Sequence, residues 1–159
     1  MNKHRHLPAS LYCLAVCVLL MLSNSSALAA EKNNDITLVN GWVRETPPNA
    51  HNAAAFLALH NNSATTKHIV AIQCSDIAAR CELHEHLHTA NGGMRMQKVS
   101  APLAVPGNST LTFAPGGYHI MLFDIKMPLR AGAQVTVVFV FDDQSSLTVP
   151  LPVKSIHAE

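Results

Sequence analysis

Gln134–Phe141 reads QVTVVFVF, a run dense in valine and phenylalanine. β-Branched and aromatic side chains fit a pleated, packed surface, so this stretch reads as a strand crossing a core. Outward from it, similar short runs recur in both directions: Ile36–Arg44, Ala53–Asn61, His68–Cys74, Cys81–Thr89, Met94–Val99, Ser109–Phe113, Tyr118–Asp124 and Leu147–Val153. Turn formers separate them, notably Pro47-Pro48, Asn91-Gly92-Gly93, Pro106-Gly107-Asn108 and Pro115-Gly116-Gly117. Strands spaced about ten residues apart and punctuated by Gly and Pro define an all-β domain, a sandwich or a Greek-key barrel. No stretch has the period of a long amphipathic helix, and Asp76–Arg80 supplies one turn at most. Neither a repeat nor a linker divides the chain, and 159 residues suit one domain.

The first thirty residues follow a different grammar. Lys3 and Arg5 precede the uncharged run Leu11–Leu22 (LYCLAVCVLLML), and Ser23–Ala30 (SNSSALAA) then turns small and polar. This order is that of a secretory signal peptide cleaved after Ala29, leaving residues 30–159 as the mature domain. Twelve helical residues span ~18 Å, short of the ~30 Å hydrocarbon core, so a retained anchor is disfavoured. A lipoprotein site at Cys17 is disfavoured as well, because bulky Val16 stands where a small residue is wanted. The expected product is exported, with no membrane anchor in its mature form.

Charge excludes several functions. Eleven Lys and Arg balance ten Asp and Glu, and a net charge of +1 offers no footprint for nucleic acid. No nucleophile elbow, paired-carboxylate cleft or phosphate loop marks an enzyme. Ten histidines and six methionines invite metal instead, although His4, His6, Met1 and Met21 belong to the leader.

Three local patterns concentrate that signal. In His84-Glu85-His86-Leu87-His88, an extended strand points all three imidazoles to one side. After the Asn91-Gly92-Gly93 turn, Met94 and Met96 share a face of the return strand, which is the histidine face if the turn has odd length. In His119-Ile120-Met121, the imidazole and the thioether project together. Each pattern alone also fits solvent-facing histidines or methionine filling a core. Together they form a soft set suited to Cu(I) and poorly suited to hard cations. A blue-copper centre would need a cysteine thiolate beside the histidines, and none lies near His119 or Met96 in sequence.

From Gly41 to Val153 the chain resembles the PCu(A)C-type periplasmic copper chaperones. The shared elements are Gly41-Trp42-Val43-Arg44 with Pro47-Pro48, Ala54–Asn61, Glu82-Leu83-His84-Glu85, Gly93–Met96, PGGYHIML at Pro115–Leu122, and Pro128-Leu129 followed by Gly132. That family's copper signature is a His, a Met after eleven intervening residues, and H-x-M about twenty-one further on. His84 and Met96 enclose eleven residues; Met96 and His119 enclose twenty-two, an excess assigned to the Ser100–Pro106 loop. The resemblance implies a cupredoxin-like Greek-key β-sandwich binding one Cu(I) through His84, Met96, His119 and Met121. It implies delivery to the copper centres of haem-copper oxidases, alongside Sco-type copper/thiol proteins. Its choice of His84 over His86 or His88 does not come from spacing, Met94 stands as a substitute for Met96, and His86 with His88 offer a weaker Cu(II) site. A copper buffer with no oxidase client and a metal-free β-sandwich interaction module are the competing readings.

Cys74 and Cys81 lie outside the family pattern. In an oxidising compartment a disulfide is the simplest expectation. The alternatives are a reduced pair lending thiolates near His84, or two buried thiols. His60 reads as a structural histidine, His51, His68 and His157 as surface residues, and Trp42 as lying in or near the core.

Overall fold

The computed structural model describes residues 32–33, 35–100 and 102–155; the expected signal peptide and His157 lie outside them. Ten strands and no helix make up the described residues. They are β1 (Ile36–Arg44), β2 (Asn52–Asn61), β3 (Lys67–Gln73), β4 (Ala78–His88), β5 (Met94–Lys98), β6 (Leu103–Val105), β7 (Ser109–Phe113), β8 (His119–Ile125), β9 (Gln134–Phe141) and β10 (Ser146–Lys154).

Hydrogen bonding follows a single path, β5-β4-β8-β2-β1-β10-β9-β3-β6, with β7 beside the second half of β2. Two layers arise from it. One contains β5, β4, β8, β2, β1 and β7; the other contains β10, β9, β3 and β6. A short parallel pairing of β1 with β10, at Val43↔Val153 and Arg44↔Lys154, joins them. The chain changes layer between β2 and β3, between β3 and β4, and again later, as in a Greek-key sandwich of cupredoxin type.

Alternation decides what each strand buries. In β9, Val135, Val137, Phe139 and Phe141 are buried, as QVTVVFVF leads one to expect. Val149, Leu151 and Val153 of β10 join them from the same layer, and Ala55, Leu57, Leu59, Ile120, Leu122 and Leu83 from the other. Each fully buried aliphatic or aromatic side chain contributes about 1.5–3 kcal/mol, so this interior carries the stability of the fold. Gly41 stands opposite Leu57 in the β1–β2 register, where a Cβ would lie 2.5 Å from Leu151 Cδ2 and 2.9 Å from Leu57 Cβ. Only glycine lets the layers approach there.

Two expectations need correction. Only residues 75–77 form a turn, and Ala78–Arg80 are already extended, because β4 continues its pairing with β8 back to Ala78↔Ile125. Ser100–Pro106 is not merely a loop: Leu103–Val105 pair with β3. Trp42 does lie near the core, packed half-buried on buried Phe56 at 4.8 Å, on the outer face of its layer.

Cys74 and Cys81 form a disulfide with Cα atoms 6.1 Å apart, tying the end of β3 to the start of β4. Cys81 shares its face of β4 with the core residue Leu83, while Glu82 and His84 point the other way. A thiolate there would therefore lie on the wrong side of the strand to join His84.

Candidate metal site

Strand period brings the chemistry to the outer face of the first layer. Ile120 and Leu122 of β8 face the core, so His119, Met121 and Phe123 face outward. Across the β4–β8 ladder, His84 lies opposite His119 and Glu82 opposite Met121. On the other side of β4, Met96 lies opposite His86, Met94 opposite His88 and Lys98 opposite His84. The connecting loop, Thr89–Gly93, has five residues, the odd length that puts histidines and methionines on one face. Gly92 takes φ +76° in it, and Thr89 N–H donates to Gly93 O at 2.8 Å.

His84, Met96, His119 and Met121 thus share one face of three adjacent strands. His119 is only 2% exposed, His84 and Met121 are intermediate, and Met96 is 49% exposed. The set runs from a buried floor to an open rim. A recess of ≈ 220 Å³ opens beside Met121, lined also by Arg44, Thr46, Pro47 and Asn52.

Hydrogen bonds fix what two of the rings can offer. His119 Nδ1 donates to the Gly117 carbonyl at 3.0 Å, which leaves the lone pair on Nε2. His84 Nε2 donates to the Glu82 carboxylate at 3.1 Å, which leaves the lone pair on Nδ1. Those two nitrogens, His119 Nε2 and His84 Nδ1, are buried without a partner, and so is His86 Nδ1. Buried polar nitrogens without partners are costly, and a metal ion is one resident that satisfies them. The His86 ring stacks on His119 at 4.8 Å, and His84 lies 5.9 Å from it, centroid to centroid.

Electrostatics keep the His119 ring in ligating form. Burial pushes the His119 pKa down from its usual 6.5, and the neighbouring His86 and His84 push the same way, against the Gly117 hydrogen bond. The ring is therefore neutral near pH 7. Hydrogen bonds from His84, then Lys98, hold the Glu82 carboxyl below its usual range, so it stays an acceptor. Phe56 and Phe123 flank His119 and His84 at 6.4 and 5.7 Å, and Arg80 covers Phe123 at 4.4 Å.

Glu82 is the residue that motif spacing overlooked as a functional one. Its signal was available, since a carboxylate two positions from a histidine in a strand shares its face. Other histidines stand apart. His60 is on the same outer face but farther along β2, its Nδ1 3.0 Å from Thr110 Oγ1; His68, in the other layer, has Nδ1 2.8 Å from Asp142, and His51 is exposed.

A cupredoxin-like sandwich with an imidazole–thioether face is the class that fold and site define. Residues 36–153 match the family described as "Putative lipoprotein LpqE-like". The "Putative lipoprotein Lxx21020" of Leifsonia xyli is 35% identical over 84% of this chain and 78% of its own length. The protein RP573 of Rickettsia prowazekii is 32% identical over 74% and 66%. Among solved structures, the apo PCuAC domain from PmoF1 superposes with TM-score 0.63 at 21% identity, covering 76% of this chain and 94% of that domain. The Cu(I) form of DR1885 from Deinococcus radiodurans gives TM-score 0.58 at 27% identity, covering 87% of each chain. The chain belongs to the LpqE-like family, which is the family of the PCuAC domains.

Proposed function

We propose that this protein is an exported Cu(I) carrier that holds one ion through His84, Met96, His119 and Met121. One observation carries the reading: buried, partnerless lone pairs on His119 and His84 lie on the same sheet face as two reachable thioethers. Imidazole with thioether is a soft, neutral donor set that favours Cu(I). The copper-loaded state of DR1885, a relative of the same fold, supports the choice of metal.

Copper here is cargo, and the graded exposure suits that role. His119, pinned through Gly117, is the fixed floor ligand. Met96 at the rim is the group an acceptor displaces first, since a thioether carries no charge and needs no proton to leave. Stepwise exchange of neutral ligands lets the ion pass without ever being bare. The finer reading is a periplasmic chaperone, released by cleavage of residues 1–29, that supplies the copper centre of a haem-copper oxidase alongside a Sco-type protein. The chain acts as a carrier rather than a catalyst.

Titration with Cu(I) against a competing chelator tests the site. One equivalent should bind, and His119→Ala with Met121→Ala should weaken binding at least about 100-fold. Stoichiometry near zero, or binding unchanged in the double variant, overturns the reading. For delivery, deleting the gene should lower oxidase activity under scarce copper; lost survival in excess copper with normal oxidase activity would mark a buffer instead.

A further inference from the structure

His86 has no part in the four-ligand set, yet its Nδ1 is buried without a partner and its ring stacks on His119 at 24°. Its register is specific. Val99 N–H donates to Leu83 O and Thr89 N–H to Gly93 O, which makes the odd-numbered β4 positions the hydrogen-bonded pairs with β5. His86 and Met96 are therefore a non-hydrogen-bonded pair, the kind with Cα atoms about 4.5 Å apart and side chains closest. His84 and His86 both neighbour the His119 ring, at 5.9 and 4.8 Å between centroids. Imidazoles bound to one ion through nitrogens about 2 Å away have centroids about 5 Å apart; the His86–His119 pair has that spacing and the His84–His119 pair is wider. What the rings lack is a common aim: among the described residues no three His, Cys, Asp or Glu side chains form a metal-holding group. Rotation of the His86 ring about χ2, which is broad for histidine, is the adjustment required, since His119 and His84 are held by Gly117 and Glu82.

We infer that His86 is the ligand that lets this pocket hold Cu(II), through the three imidazoles of His84, His86 and His119. The inference rests on the copper reading above and adds a second ligand set that shares two residues with the first. Cu(II) prefers nitrogen donors in a tetragonal arrangement, whereas thioethers favour Cu(I). Cu(I) draws on Met96 and Met121; Cu(II) gives them up and takes His86. The inference concerns which ion is bound and involves no electron transfer by the protein.

The test titrates the purified protein with copper(II) sulfate, read by electron paramagnetic resonance, and separately with Cu(I) against a competing chelator. Wild type should bind one Cu(II) with nitrogen hyperfine structure. His86→Ala should weaken Cu(II) binding at least about 10-fold with altered hyperfine structure, while Cu(I) affinity changes less than about 3-fold. Met96→Ala should do the reverse. His86→Gln, with a melting curve for each variant, covers the case in which alanine disturbs folding. Unchanged Cu(II) binding in both His86 variants overturns the inference, as does an equal loss of both ions. A wild type that binds Cu(I) but no Cu(II) overturns this inference and leaves the carrier reading intact; one that binds neither overturns both.

Discussion

At His119 and His84, hydrogen bonds made without any metal decide which nitrogen each ring presents. The acceptors, Gly117 O and the Glu82 carboxylate, both sit two residues from the histidine they hold. Such contacts preorganise the donors, so little ordering remains to be done when an ion arrives. Gly41 shows the same residue-level determinism in the core. Its Cβ would press against Leu57 Cβ, which cannot move without its strand, and against Leu151 Cδ2. Gly41→Ala is expected to destabilise by about 1–3 kcal/mol and lower the melting temperature by several degrees. A melting curve checks it, and an unchanged midpoint would mean the layers separate more easily than their packing suggests. Copper stoichiometry should survive, because Gly41 does not belong to the metal-facing side.

Among the elements, the β4–β5 hairpin shows what sequence can and cannot disclose. That His84, His86 and His88 share a face, and Met94 and Met96 another stretch of it, follows from a period of two and is local information. Which histidine faces which methionine depends on register and loop length, and no single strand carries that. The outcome, Met96 opposite His86 and diagonal to His84, is the reason His86 enters the chemistry at all. β6 escaped notice for a related reason: three residues hold too little alternation to mark a strand, and its place comes from pairing with β3. Face assignment in β5 is open to a direct test, because all five of its residues are exposed and none supports the core. Exchanging neighbours, Arg95→Met with Met96→Arg, keeps composition and moves the thioether to the opposite face. Cu(I) affinity should fall at least about 10-fold with stability within about 0.5 kcal/mol of wild type. Chelator competition and a denaturation curve read the two effects separately, and retained affinity would remove Met96 from the ligand set.

Over the whole molecule, strand pairing between the two layers is short among the described residues, β1 with β10 at two positions beside the isolated Lys32↔Ser146 bridge, so polar ties elsewhere matter to how they stay registered. One lies far along the chain from the metal face. Lys67 at the start of β3 bonds Asp143, in the β9–β10 turn, at 2.6 Å, and Asp35, beside the start of β1, at 3.1 Å. Asp143 also accepts from the Ser145 hydroxyl and backbone N–H, and Asn33 donates to that hydroxyl. Lys67 above all, then Ser145, holds the Asp143 pKa at about 2, below the ordinary 3.8, while Asp143, then Asp35, raises that of Lys67. The sign follows from linkage. With the folded carboxyl the stronger acid, the unfolded chain takes up its proton first as pH falls. The contribution of Asp143 is complete above pH 3.8 and is lost as pH drops from there to about 2; that of Lys67 fades only as pH rises past 10.5. Asp143 is 39% exposed, so solvent screens the pair and the effect is at most about 1 kcal/mol. Glu82 and Asp142 are also held below their usual ranges, so the wild-type acid slope has several sources. Asp143→Asn isolates one of them. Its unfolding midpoint should lie below wild type at pH 7 and converge on it near pH 2, with the gap reduced by salt. Denaturant midpoints at pH 7, 4 and 2.5 measure it. No gap at pH 7 would assign the role of Asp143 to its hydrogen bonds with Ser145, which an asparagine oxygen also accepts, and would leave the charge of Lys67 without a part in joining β3 to the β9–β10 turn.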